Sequence, residues 1–236
     1  MGPLIRFLAG LLLTGWPLLA AWSASLPWRV DPSQSVLAVI THPAGAAGRF
    51  GHSHLITARA YHASLAVDEA QITASRFEVA LPAAELEVDA PAVATAIEPR
   101  LRLLGLLEGA FPRLSADERA GTRDHMLSAG QLDAKAFPEV DASVAGLRQE
   151  GAVVGGREFQ WRVDLRLTVR GRQVTHAVPA DISWGNGRLR ATALGKFRFS
   201  EFGIEPYRAA MGLLQNADEF HVYVELAAEA GEHEGK

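Results

Sequence analysis

From Phe159 to Arg170 apolar and polar side chains alternate without a fault, and that run constrains the fold more than any other part of the chain. Phe159, Trp161, Val163, Leu165, Leu167 and Val169 fall on one side; Gln160, Arg162, Asp164, Arg166, Thr168 and Arg170 fall on the other. A period of two means a strand with one dry and one wet face. Gly171-Arg172 then reads as a tight turn, because glycine takes positive φ without strain. The alternation resumes with Val174, Val178, Ala180, Ile182 and Trp184, and Gly185-Asn186-Gly187 closes a second hairpin. Leu189, Ala191, Ala193, Phe197 and Phe199 keep phase in a third strand. A last strand sets Phe220, Val222, Val224 and Leu226 against Glu219, His221, Tyr223 and Glu225. Consecutive hairpins of this kind make an antiparallel meander.

Residues 36–41, 55–67, 75–81 and 140–147 read as further strands. Some eight strands with one dry face each must hide those faces, and closing into a barrel does so while removing exposed edges. The expected fold class is therefore all-β, an antiparallel eight-stranded β-barrel, with a two-sheet sandwich as the competitor. Between Pro82 and Phe137 the β pattern stops. Leu101, Leu103, Leu104, Leu106 and Leu107 form a helix-like cluster broken by Gly105 and Gly109 and ended at Pro112. Ser115-Ala116-Asp117-Glu118 has the form of a capping box, opening a helix that runs to about Ala129. The interval 82–137 is too long for a simple connection. It reads as a helical insertion, either a lid or plug or a helix covering one barrel end.

Arg6 followed by the nearly unbroken apolar run Phe7 to Ala21, then small residues Ala21, Ser23, Ala24 and Ser25, has the form of a cleavable export signal. The run is shorter than the roughly 20 apolar residues a spanning helix needs. The expected organisation is a signal peptide at 1–24, a barrel domain at 25–230 and a polar tail at 231–236, in the periplasm. The absence of cysteine means that export cannot serve disulfide formation and rules out an acylated-cysteine anchor. A formal charge of −4 with both signs scattered offers no polyanion-binding face, so no nucleic-acid partner is expected.

Four separated stretches resemble the YceI-like, polyisoprenoid-binding family. Trp28-Arg29-Val30-Asp31-Pro32 followed by Ser35-Val36 is similar to its first-strand signature. His125 to Pro138 is similar to a segment in which a His-Leu pair precedes an aspartate and an aromatic-Pro pair, although Gly130 and Gln131 stand where an acidic residue and Phe are common. Leu167 to Gly171 resembles the strand-and-turn "LTIRG", with Arg172 departing from the usual next residue. Ser200-Glu201-Phe202-Gly203-Ile204 resembles "SDFGI". Gly51-His52-Ser53-His54, together with the long insertion, is more like a proteobacterial branch carrying "GHNH" or "GHDH". The resemblance runs from about Trp28 to Ala228. It implies a lipocalin-like barrel whose interior takes an isoprenoid chain, such as that of an isoprenoid quinone or a polyprenyl lipid.

His52 and His54 are the sharpest polar pair. Two apart on a strand, they share a face and can reach one metal ion or one ligand head group, with His125, His42 or His176 as candidate third ligands. In the other reading Gly51-His52 belongs to a turn and the histidines make hydrogen bonds that close the barrel end. A neutral histidine donating to a quinone carbonyl is the favoured functional version. Asp124 and His125 are either a polar contact at the pocket mouth or a tether between helix and barrel. Arg123 and Arg170 are candidates for a pyrophosphate head group, or solvated. Phe159, Trp161, Val163, Leu165 and Leu167 are expected to give the ligand its apolar wall. Trp184, Phe197, Phe199, Phe202 and Phe220 complete that wall. No nucleophile elbow, His-Glu-x-x-His motif or phosphate-cradling loop occurs, so the chain is not expected to be an enzyme. The functional expectation is a periplasmic carrier for an apolar lipid or isoprenoid, in transient contact with a membrane. The alternative is a metal- or quinone-binding redox-associated module that uses His52 and His54 and serves an inner-membrane cytochrome. A structural envelope protein with a filled barrel is the third possibility.

Overall fold

A computed structural model of the chain describes residues 28–231, apart from 47, 49, 50, 210 and 212. The expected signal peptide and all but the first residue of the polar tail lie outside the described residues. Strands β1 (Trp28–Val30), β2 (Val36–Ala44), β3 (His54–Ala58), β4 (His62–Ala66), β5 (Arg76–Pro82) and β6 (Leu86–Val88) come first. Helices α1 (Pro91–Leu103) and α2 (Ala116–Leu127) follow. The rest is β7 (Glu139–Arg148), β8 (Ala152–Val154), β9 (Arg157–Phe159), β10 (Trp161–Val169), β11 (Arg172–Gly185), β12 (Arg188–Arg198), β13 (Arg208–Ala209) and β14 (Leu214–Ala230).

Strands β1-β4-β5-β7-β10-β11-β12-β14 form a ring of eight, closed where β14 pairs back onto β1. The sandwich reading is thereby excluded. The local signals act where the sequence places them. Arg170-Gly171 (φ 50° and 69°) and Asn186-Gly187 (φ 51° and 69°) are two-residue loops with both residues left-handed, the geometry that matches the twist of the flanking strands. The first turn thus lies one residue earlier than Gly171-Arg172. Ser115 caps α2 through a reciprocal pair with Glu118, the Ser115 amide donating at 2.8 Å, and the helix ends at Leu127 rather than Ala129.

The ring is not the whole sheet. Strand β14, 17 residues long, pairs along one edge with β12 and along the other with two strands in succession. Its C-terminal end bonds β1 (Trp28↔Ala230), whereas its earlier part bonds β2 (Val222↔Val39). From β2 the sheet continues to β3 and β6 as a branch outside the ring. The expected single strand 55–67 is therefore two, β3 in the branch and β4 in the ring, with the chain crossing at residues 59–61.

The insertion has two jobs. Helix α1 packs on the outer wall, its Ala94, Ile97 and Leu101 buried against Ala38, Ile40, Leu55 and Tyr223. Strand β2 is consequently apolar on both faces, as a strand covered on both sides must be. Helix α2 lies along β6, where Arg123 donates to the carbonyls of Leu86 (2.6 Å) and Ala84 (2.5 Å). The Leu86 carbonyl points away from β3, so the arginine satisfies a strand edge that no neighbour pairs among the described residues. Arg123 thus tethers α2 to the β6 region.

Candidate functional site

Inside the barrel lies a cavity of about 510 Å³, within the range of small-molecule sites. Its position explains which apolar residues reach it. Along β10, Leu165, Leu167 and Val169 line the cavity; along β14, Phe220, Val222 and Val224 do. Phe199 and Phe202 join them from the turn after β12, where Gly203 (φ 69°) sits so close to the Arg172 guanidinium that a Cβ would fall 2.7 Å from it. The opposite end of the same faces is filled. Trp161 meets Trp184 edge to face at 5.9 Å, and Trp28, Leu65, Leu189 and Leu226 complete that end's core.

Five expected wall residues therefore stand away from the cavity. Trp161, Val163 and Trp184 pack in the filled end, and Phe197, fully buried, packs among Phe202, Phe220 and His176. Phe159 departs further. The ladder breaks at Gln160, whose amide is taken by Asp181 at 3.1 Å, and Phe159 lies in the outer core with Leu194 and Tyr223. The apparent single strand from 159 to 170 is β9 plus β10.

Part of the polar lining lies on the branch, and the rest on α2, at Gln131 and at the β13–β14 hairpin. Thr41 on β2 lies directly across from His54 on β3 and from Phe220 on β14. His54 Nδ1 lies 2.6 Å from Asp89 Oδ2. Asp89, its side chain fully buried, is a residue the sequence reading missed. Its amide donates to the Leu55 carbonyl, and its Oδ1 accepts the Leu55 amide, both at 2.8 Å. The side chain thus replaces a main-chain carbonyl and extends the β3–β6 ladder by one pair. Its left-handed backbone (φ 50°), which aspartate tolerates better than most residues, turns the chain from β6 towards α1. With both carboxylate oxygens accepting, His54 donates from Nδ1, and in the neutral ring Nε2 is then an acceptor.

The two histidines of the expected pair part company. His52 is exposed and precedes β3, whereas His54 is half-buried and lines the cavity. The candidate third ligands also scatter: His42 Nε2 meets His221 Nδ1 at 2.8 Å, His176 meets Glu201 at 2.9 Å, and His125 packs edge-on against Tyr207 at 4.2 Å. Among the described residues no group of three or more potential ligands converges. His125 does line the cavity. Gly121 and His125, and likewise Thr122 and Met126, are four residues apart and share the face of α2 turned towards it. Asn216 and Tyr207, tied by a 2.9 Å main-chain bond, form the base of the β13–β14 hairpin at the cavity wall. Met211 and Leu213, near the hairpin's tip, are exposed.

A family profile described as a YceI-like domain matches residues 28–228. No match is found among curated protein sequences. The crystal structure of BcnA from Burkholderia cenocepacia is similar with a TM-score of 0.54 at 14% identity, covering 84% of this chain and 99% of its own. The YCEI protein of Campylobacter jejuni, also 14% identical, is matched over 75% of this chain and 85% of its own with a TM-score of 0.49. At that identity the likeness to BcnA is one of fold.

Proposed function

The chain belongs to the YceI-like family, and on that premise we propose that it carries an isoprenoid or comparable long apolar lipid inside its barrel, across the periplasm. YceI-like barrels are binding proteins rather than enzymes. The supporting observation is the hollow end of the barrel. Its walls are mostly aliphatic and aromatic, and among the described residues that line it there is no Lys, Arg, Asp or Glu. A lipid chain enclosed there gains roughly 25 cal/mol for each Å² of apolar surface removed from water. The β13–β14 hairpin supports transient membrane contact, because its base lines the cavity while Met211 and Leu213 project near its tip.

Native mass spectrometry of protein purified from its host without detergent tests the reading. A lipidic adduct is the expected result, lost on substitution of the cavity-lining Ala142→Trp with the fold retained by circular dichroism. Adduct-free wild-type protein that also takes up no prenyl probe refutes it.

A further inference from the structure

We propose that a cleft on the outside of the barrel, between helix α2 and the amino end of α1, binds a phosphate group through the guanidinium groups of Arg119 and Arg123. This goes beyond the carrier reading and does not depend on what the barrel holds.

The cleft measures about 470 Å³, and its charged walls are Arg59, Glu87, Arg119 and Arg123. Arg59 is balanced by carboxylates, its Nε standing 3.3 Å from Glu85 and 3.7 Å from Glu87. Arg119 and Arg123 are not. Four residues apart on α2, they form a pair of like charges one turn apart, an arrangement that weakens a helix. Among the described residues neither meets a carboxylate, and main-chain carbonyls position both. Arg119 Nη1 donates to Leu114 at 2.7 Å, and Arg123 donates to Leu86 and Ala84 at 2.6 and 2.5 Å.

A neutral carbonyl fixes a guanidinium without cancelling its charge. Each guanidinium carries five N–H donors in a rigid fork, of which Arg119 spends one and Arg123 two on the main chain. The others remain for an oxyanion in the cleft, and a fork already held in place loses little freedom on binding it. A phosphate suits the pair better than a carboxylate does. It sets up to two negative charges against two positive ones and has oxygens enough for both forks. The amino end of α1 walls the same cleft at Pro91, Ala92 and Val93, and its dipole adds partial positive charge to that of the arginines. Val88 of β6 lines both this cleft and the barrel cavity, so a phosphate held here lies beside that cavity. Two sources offer such a group, a phospholipid head group and free phosphate.

Thermal unfolding of the full-length protein, titrated at neutral pH and constant ionic strength with inorganic phosphate or with acetate, tests the site. Sedimentation with phosphatidylcholine vesicles, with and without phosphatidic acid, separates the two sources. Phosphate should raise the melting temperature more than acetate does. Arg119→Gln, which keeps a good helix former, should weaken the phosphate or phosphatidic acid response about tenfold, and Arg119→Lys should weaken it less. Arg188→Gln, at an exposed arginine of β12 paired with Glu229, should change neither response. A response to inorganic phosphate without one to phosphatidic acid identifies free phosphate as the ligand; a response to phosphatidic acid identifies the head group. No response in either assay overturns the inference, as does an Arg119→Gln variant that responds like the wild type or an equal loss in Arg188→Gln. Each of these outcomes leaves the carrier reading intact.

Discussion

Asp89 is a single side chain on which both the fold and the site depend, and its replacement separates the two roles. In Asp89→Ala the Leu55 amide, bonded at 2.8 Å on a residue with no solvent exposure, loses its acceptor. A hydrogen bond to a charged group contributes about 1.5–3 kcal/mol. The His54 bond of 2.6 Å is lost as well, but His54 is 24% exposed and partly regains water, so the low end of that range applies. Alanine also tolerates the left-handed backbone (φ 50°) less well, by about 1 kcal/mol. Together these give a loss of roughly 4–5 kcal/mol. Asp89→Asn keeps an oxygen for Leu55 and keeps the backbone preference. It loses only charge assistance, about half the strength of such bonds, for a cost of about 1–2 kcal/mol. The asparagine NH2 then faces His54 Nδ1 and favours the other tautomer, which turns Nε2 from acceptor into donor. Urea denaturation of wild type and both variants measures the stabilities, and nitrogen-15 NMR of the His54 ring measures the tautomer switch. Equal stability losses for Ala and Asn would refute the account, because the acceptor at Leu55 would then not be what matters.

Burial first, and next the neighbouring His42, push His221 from its ordinary value down to about 4. The unfolded chain therefore takes up a proton that the fold refuses as pH falls from 6.5 towards 4, so stability is full above that window and falls within it. About 2 kcal/mol is lost between pH 7 and pH 5 in urea midpoints, and His221→Gln should remove most of that slope; an unchanged slope in the variant contradicts the assignment. Ile97→Ala, at a fully buried position of α1, should cost about 2–5 kcal/mol in denaturant yet leave probe affinity unaltered, because it packs on the outer wall. The double change Met211→Glu with Leu213→Glu should slow lipid uptake from vesicles by roughly tenfold with equilibrium affinity unchanged; equal uptake rates would remove the hairpin from the loading step.

Much of this was legible where the determinant is local. The alternation along β10 to β12 and β14, the Asn186-Gly187 turn and the Ser115 capping box are each decided by a few neighbouring residues, and they form where the sequence places them. What the sequence withheld depends on distant partners. Trp161 and Leu167 sit on the same face of one strand, yet the first plugs the barrel and the second lines its cavity. That difference is set by where β1 closes the ring, some 130 residues earlier in the chain. Asp89 carries no motif; it is one acidic residue before an Ala-Pro pair, and its role appears only when β6 meets β3. A signal for the outer core was present in the run Val36 to Ile40, apolar on both strand faces, and in Tyr223 on a face otherwise read as wet.

An eight-stranded barrel lined by residues of this size is near the limit at which its own side chains fill it. The filled end obeys that limit, with Trp28, Trp161 and Trp184 meeting where β1 and β4 close the ring. Room exists at the other end because β14 exchanges β1 for β2 along one edge and the wall departs into the β2–β3–β6 branch. Such a branch brings its own difficulty: an apolar outer face and an unpaired edge at β6, both of which favour association with other chains. Helix α1 covers the face, and Arg123 of α2 occupies carbonyls of the edge region. The insertion is thus the counterpart of the cavity rather than an ornament on a finished barrel. Thr41 and His54, both in the cavity lining, belong to the branch strands, and the Asp89 that orients His54 is the residue through which the branch turns into the insertion.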